Sequence, residues 1–201
     1  MSVTLLDQPP PTLQGTLGPY RRADHSALPD EPRCELILGR FYLSPSPVFL
    51  HQYLATHLAS HLQKAARRSG GLAVAAPMDV HLADHTVVQP DVLYISRERR
   101  GIVRDWVEGP PDLVVEILSQ STASRDQVHK LNLYAETGVR EYWIVDPSGR
   151  HVTFLVLTEK AFAVHTPKAG KWRSPTLAEI ELDIDDLWAE IEREFGPPGG
   201  T

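Results

Sequence analysis

Two acidic side chains stand where acids are expensive. Asp91 lies inside VVQPDVLYI (87–95) and Glu116 inside DLVVEIL (112–118), both apolar runs of the kind that form strands. A carboxylate in such a run needs a partner, because burying an unpaired charge is costly. The dipeptide Pro-Asp itself carries no information, since it occurs at 29–30, 90–91 and 111–112. For Asp91 the plain alternative is an aspartate at a strand edge or end facing water, and period-two alternation puts it on one face with Gln89 and Leu93. For Glu116, flanked by Leu113, Val114, Val115, Ile117 and Leu118, the alternative is a structural salt bridge. Two carboxylates from neighbouring strands are what proteins usually offer Mg²⁺, a hard cation that keeps several waters and leaves room for a substrate phosphate.

If such a site uses an ammonium, Lys130 is the sole candidate nearby. Lysine is scarce, five against 15 arginines, and Lys130 is the only one between Lys64 and Lys160. It follows Asp126 by one helical turn, so an ordinary surface ion pair is the simplest reading of its spacing alone.

The elements that must position these residues are legible from pattern. CELILGRFYL from Cys34 reads as a strand or hairpin, stopped by Ser44-Pro45-Ser46-Pro47. Leu50, Leu54, Leu58, Leu62 and Ala65 at helical spacing predict an amphipathic helix over 48–67, ended by Gly70-Gly71. LAVAA (72–76), MDVHL (78–82) and VVQPDVLYI predict strands, and DLVVEIL a central strand covered on both faces. A helix follows at 122–137, with Ser121 or Ser124 as its cap and Val128, Leu131 and Tyr134 or Ala135 facing inward. EYWIVD (141–146) and HVTFLVL (151–157) pair through the turn at 147–150, and AFAVH and a helix near 185–195 complete the order. The class is α/β (α+β), a mixed β-sheet core flanked by helices. Six of the 17 prolines lie in residues 1–32, which are expected to form a flexible tail before one domain over 33–195, with a second tail at 196–201.

Composition bounds the function. Twenty-six acidic against 20 basic side chains give a net charge of −6, which excludes a uniformly basic protein gripping a polyanion over its whole surface. Eight acids against Arg193 alone in residues 176–195, a net of −7, account for that charge; the rest of the chain is near neutral. One cysteine, Cys34, permits neither an intramolecular disulfide nor a cysteine zinc cluster and fits a reducing compartment. No secretory signal or membrane-length apolar run is present, so a cytoplasmic protein without a membrane partner is expected.

Taken together, QPDVLYI and PPDLVVEILSQSTASRDQVHKLNLYAETGVREYWIVDP resemble the Uma family of restriction-endonuclease-like proteins, placed in the PD-(D/E)XK nuclease superfamily. ELILGRFYLSPSPVFLHQYL resembles the family's opening and SPTLAEIELDIDDLW its close, so the likeness spans Glu35 to Trp188. The resemblance implies a restriction-endonuclease-like fold and metal-assisted hydrolysis of phosphodiester bonds in nucleic acid, DNA first among candidates. It carries the superfamily's acidic pair onto Asp91 and Glu116 as ligands of Mg²⁺ or Mn²⁺. The superfamily lysine should stand two residues after Glu116, where this chain has Leu118. The resemblance therefore moves that role to Lys130, accompanied by Asp126, with Gln89 and His51 as supporting residues. His51, on the first long helix, either bonds a metal-bound water or caps the helix. Cutting both strands of a duplex suits a two-fold arrangement, hence an expected homodimer.

Other patterns point less far. H-L-A-S-H at 57–61 lacks the glutamate that a zinc-hydrolase helix needs after its first histidine. Arg97, Arg99, Arg100 and Arg104 form either a solvated surface or a set of phosphate contacts. The alternative to an enzyme is a non-catalytic nucleic-acid-binding or assembly protein that keeps the fold, for which Leu118 is the main argument.

Overall fold

The structure, a computed structural model, describes residues 17–29, 32–44, 46–119, 126–159 and 161–196. A short helix, α1 (Arg22–Ser26), precedes the hairpin β1 (Cys34–Ile37) and β2 (Arg40–Leu43). The long helix α2 (Phe49–Ser69) leads into β3 (Leu72–Ala75), β4 (Val80–Ala83), β5 (Thr86–Val88) and β6 (Val92–Ile95). A 3₁₀ turn (Arg97–Ile102), β7 (Val107–Glu108), β8 (Leu113–Ile117), α3 (Asp126–Thr137) and β9 (Glu141–Asp146) follow. The chain ends with β10 (His151–Leu157), β11 (Phe162–His165), β12 (Lys171–Arg173), β13 (Glu181–Asp183) and α4 (Ile184–Phe195).

Two main sheets result. The first has the order β2-β1-β5-β4-β7 and the second β11-β10-β9-β8-β6-β3, with β12-β13 a separate ribbon. Within the second sheet β8 and β9 run parallel while β6 and β8 are antiparallel, so the expected mixed sheet is present. A parallel pair needs a crossover, and α3 lies within it.

The second sheet is covered on both faces, which explains why Leu113, Val114, Val115 and Ile117 are all buried. Against one face pack α2, through Leu54, Leu58 and Leu62, and α4, through Leu187, Trp188 and Ile191. Against the other pack α3, through Leu133 and Tyr134, and the first sheet, through Ile37, Val80 and Val88. Gly70 closes α2 in the left-handed region at φ 83°, where a side chain would be strained. Among the described residues no helix is long and apolar enough to cross a membrane.

Two expectations change, and a third falls outside the described residues. The run 87–95 is not one strand: β5 ends at Val88 in the first sheet and β6 begins at Val92 in the second. Pro90, which has no N–H for a ladder, sits at the transfer, so Gln89 and Asp91 lie in the connection between the two sheets and not on one strand face. Of the segment expected as a tail, residues 17–29 pack on the first sheet: Gly18 N donates to Leu38 O, Arg22 N to Asp84 O, and Tyr20 meets the Phe41 ring. Finally, Ser121 and Ser124, the expected caps of α3, lie outside the described residues, as do 1–16 and 197–201.

Candidate active site

Asp91 and Glu116 come together because of strand register. β6 and β8 are antiparallel with Val92 opposite Val115, so the next position along brings Asp91 beside Glu116 at the end of the sheet. Asp91 Oδ2 accepts from the Ile117 backbone N–H at 2.7 Å and lies 3.2 Å from His51 Nε2. His51 stands in the first turn of α2, which delivers it to the same sheet end. Burial works against charge on this imidazole, but the hydrogen bond and charge of Asp91 outweigh it and raise the His51 pKa.

Glu116 points from β8 towards α3 and the first sheet. Its Oε1 accepts from the Lys130 ammonium at 2.9 Å and from the Tyr134 hydroxyl at 2.7 Å. Lys130 and Tyr134 are one turn apart on α3, so a single helix face supplies both donors. The lysine is not a surface residue; its side chain is 10% exposed and its amine also reaches Glu35 Oε1 at 3.0 Å. Asp126 begins α3, one turn before Lys130, and its side chain lies outside the described residues.

Burial pushes the Glu116 carboxyl up and Lys130 pulls it down, while Asp91 and Glu35 add like charge; the outcome is a pKa of about 7. Burial alone would lower the Lys130 pKa, but Glu116 and Glu35 outweigh it and hold the ammonium well above its ordinary value.

Glu35 was not singled out from sequence. The signal was present, an acid within the apolar run C-E-L-I-L, the same pattern that drew attention to Glu116. Its Oε1 also accepts from the Gln89 backbone N–H at 2.7 Å, and the Gln89 side chain donates to Asp79 Oδ1 at 2.8 Å. Gln89 thus meets Glu35 through its main chain, while its side chain turns to Asp79.

The arginine cluster lies elsewhere. The 3₁₀ turn follows the far end of β6, six residues from Asp91, about 20 Å along an extended chain. Arg99 Nη1 is 3.5 Å from the fully buried Asp112, Arg100 donates to Gly70 O, and Arg104 donates to Val103 O. The Arg97 side chain runs beside Gly70. His57 pairs with Glu190 at 3.0 Å and His61 bonds the Glu181 carbonyl, so both tie α2 to the C-terminal segment.

Among the described residues no three or more His, Cys, Asp or Glu side chains gather as a cage for a metal ion. Mg²⁺ does not need one, since one or two carboxylates plus water suffice. The donor set fits: the hydrogen bonds described fall on Asp91 Oδ2 and Glu116 Oε1, and three neighbouring carboxylates face one ammonium and one imidazole. A divalent cation would offset the like charge that Asp91 and Glu35 add to burial in raising Glu116.

A family model described as "Uma2: Putative restriction endonuclease" matches residues 20–185. No curated protein matches the chain. Among solved structures, a "putative nuclease belonging to DUF820" from Anabaena variabilis ATCC 29413 is similar, with 20% identity and a TM-score of 0.71 over 85% of this chain and 98% of that one. That likeness, at such identity, concerns the fold.

Proposed function

The chain belongs to the Uma2 family, and on that premise we propose that it is a metal-dependent endonuclease that hydrolyses phosphodiester bonds of nucleic acid, with DNA as substrate. Asp91 and Glu116 would hold the cation, Mg²⁺ or Mn²⁺. When bound, such an ion lowers the pKa of a coordinated water and polarises the scissile phosphate.

The chain's own residues have separate tasks. His51 and the Ile117 N–H fix the Asp91 carboxylate. Tyr134 fixes Glu116. Lys130, held charged in a nearly dry setting, is suited to orienting the attacking water and to stabilising negative charge that develops on the phosphate. Arg97, Arg99, Arg100 and Arg104 would contact substrate phosphates away from the cut. Two copies of the chain, acting in the cytoplasm, would serve the two strands of a duplex.

The observation that carries this reading is the buried Lys130 ammonium against Glu116. A lysine reaches the carboxylate although the strand position that usually supplies it holds Leu118. A second reading, a nucleic-acid-binding protein without catalysis, is favoured by the same pair seen differently: an ammonium bound by two carboxylates is also a finished structural bridge.

Incubation of wild type and the Asp91→Ala, Glu116→Ala and Lys130→Ala variants with plasmid, single-stranded DNA and RNA, in Mg²⁺, Mn²⁺ or EDTA, separates the two. Metal-dependent cleavage lost in all three variants supports the enzyme. Binding without cleavage supports the second reading, and cleavage that survives Glu116→Ala refutes the assigned site.

A further inference from the structure

Lys130 has two partners, and they come from different sheets. Glu116 sits on β8 of the second sheet and Glu35 on β1 of the first. The two do not stand in equivalent surroundings. Glu35 is fixed from every side: β1 pairs with β2 along its length and with β5 at Leu36, and Oε1 accepts from both Lys130 and the Gln89 N–H. Gln89 is itself anchored on Asp79. Glu116, by contrast, lies at the sheet end beside Asp91, where a second duty is assigned to it above.

A lysine bound by Glu116 alone would lose its anchor, or compete with the cation, whenever that carboxylate turned to a metal. We propose that Glu35 is a positioning residue: it holds the Lys130 ammonium from the first sheet, so that Glu116 can engage a cation without releasing the lysine. This rests on the metal-dependent reading of the Asp91–Glu116 pair, but its first consequence, protection of Lys130 by Glu35, does not require cleavage. Neutralising Glu35 leaves the lysine one partner, and a cation then draws that partner away.

Acetylation of the folded protein by an amine-reactive ester, read at Lys130 by mass spectrometry with and without Mn²⁺, tests the inference directly. In wild type Lys130 reacts slowly in both conditions. In Glu35→Gln it reacts severalfold faster, and Mn²⁺ accelerates it further. Equal protection of Lys130 in wild type and Glu35→Gln, with or without Mn²⁺, overturns the proposal. Should that variant fail to fold, Glu35→Asp keeps the charge but shortens the reach by one methylene, and the same two outcomes apply.

Calorimetric titration of Mn²⁺ into wild type, Glu35→Gln, Lys130→Met and the double variant gives a second readout. Glu35→Gln weakens Mn²⁺ binding about 10-fold when Lys130 is present and has little effect when it is Met. An equal loss in both backgrounds means that Glu35 acts on the ion itself and overturns the positioning role. If wild type cuts no nucleic acid, the nuclease reading fails while the acetylation result still stands.

Discussion

The Lys130 ammonium lies 2.9 Å from Glu116 Oε1 across 14 positions of sequence, so helix α3 brings an ammonium to a carboxylate whose own strand continues into Leu118. Under the proposed function, the chemistry would need a charge at a place in space and be indifferent to which element brings it.

That equivalence is testable by moving the charge. Lys130→Met should reduce metal-dependent cleavage about 100- to 1,000-fold, the cost of removing one preorganised charge-stabilising donor. Leu118→Lys in that background should recover part of it, because Leu118 continues the β8 ladder through its N–H to Val145 O and alternates onto the Glu116 face. Gel-based cleavage rates of the single and double variants measure both effects.

The raised Glu116 pKa links metal, proton and stability. Its carboxyl moves from 4.5 to about 7 on folding, so the metal-free fold gains from this group below pH 4.5 and loses that gain as pH rises to about 7. A cation binds only the ionised form. Mn²⁺ should therefore raise the melting temperature more at pH 8 than at pH 5.5, and Glu116→Gln should remove the pH dependence of that increment.

Glu141 offers a control outside the site. Fully buried, and with no ion pair among the described residues, it accepts from Ser174 Oγ, from Thr176 through both N–H and Oγ1, and from Trp143 Nε1 at 3.1 Å. Glu141→Ala strands those donors and should cost about 3 kcal/mol. For a chain of this size that is a fall of roughly 6–12 °C in Tm. Mn²⁺ affinity, measured by calorimetry, should not change.

The arginine turn makes a separate prediction about binding. If Arg97 and Arg104 touch phosphates, each Ala substitution should reduce the slope of log affinity against log salt by about one and leave Mn²⁺ affinity intact. Arg99→Ala should instead also lower Tm modestly, because it removes one of two arginines at the buried Asp112 carboxylate and leaves Arg140 at 3.2 Å. Fluorescence anisotropy with labelled duplex across a salt series separates the three.

Local pattern carried far in this chain. The β1–β2 hairpin, the leucine stripe of α2, the doubly covered β8 and the β9–β10 hairpin all follow from periodicity and turn residues, and Glu116 stood out because charge is costly in an apolar strand. What could not be read was anything depending on how separate segments meet. VVQPDVLYI looks like one strand until a second sheet exists to take its first half. Glu35 shows no charged partner until α3 arrives 95 positions later, and Lys130 at helical spacing from Asp126 looks like a surface residue until Glu35 and Glu116 enclose it. The two histidines of H-L-A-S-H gain meaning only from the C-terminal segment they bind.

The Glu35–Lys130–Glu116 bridge joins the two sheets through one nitrogen atom. A folding intermediate with the second sheet alone would hold Glu116 and Lys130 without Glu35, and one with the first sheet alone would hold only Glu35. On the metal-dependent reading, chemistry would be conditional on completed docking, and loss of cleavage on heating should precede or coincide with separation of the sheets, never trail it.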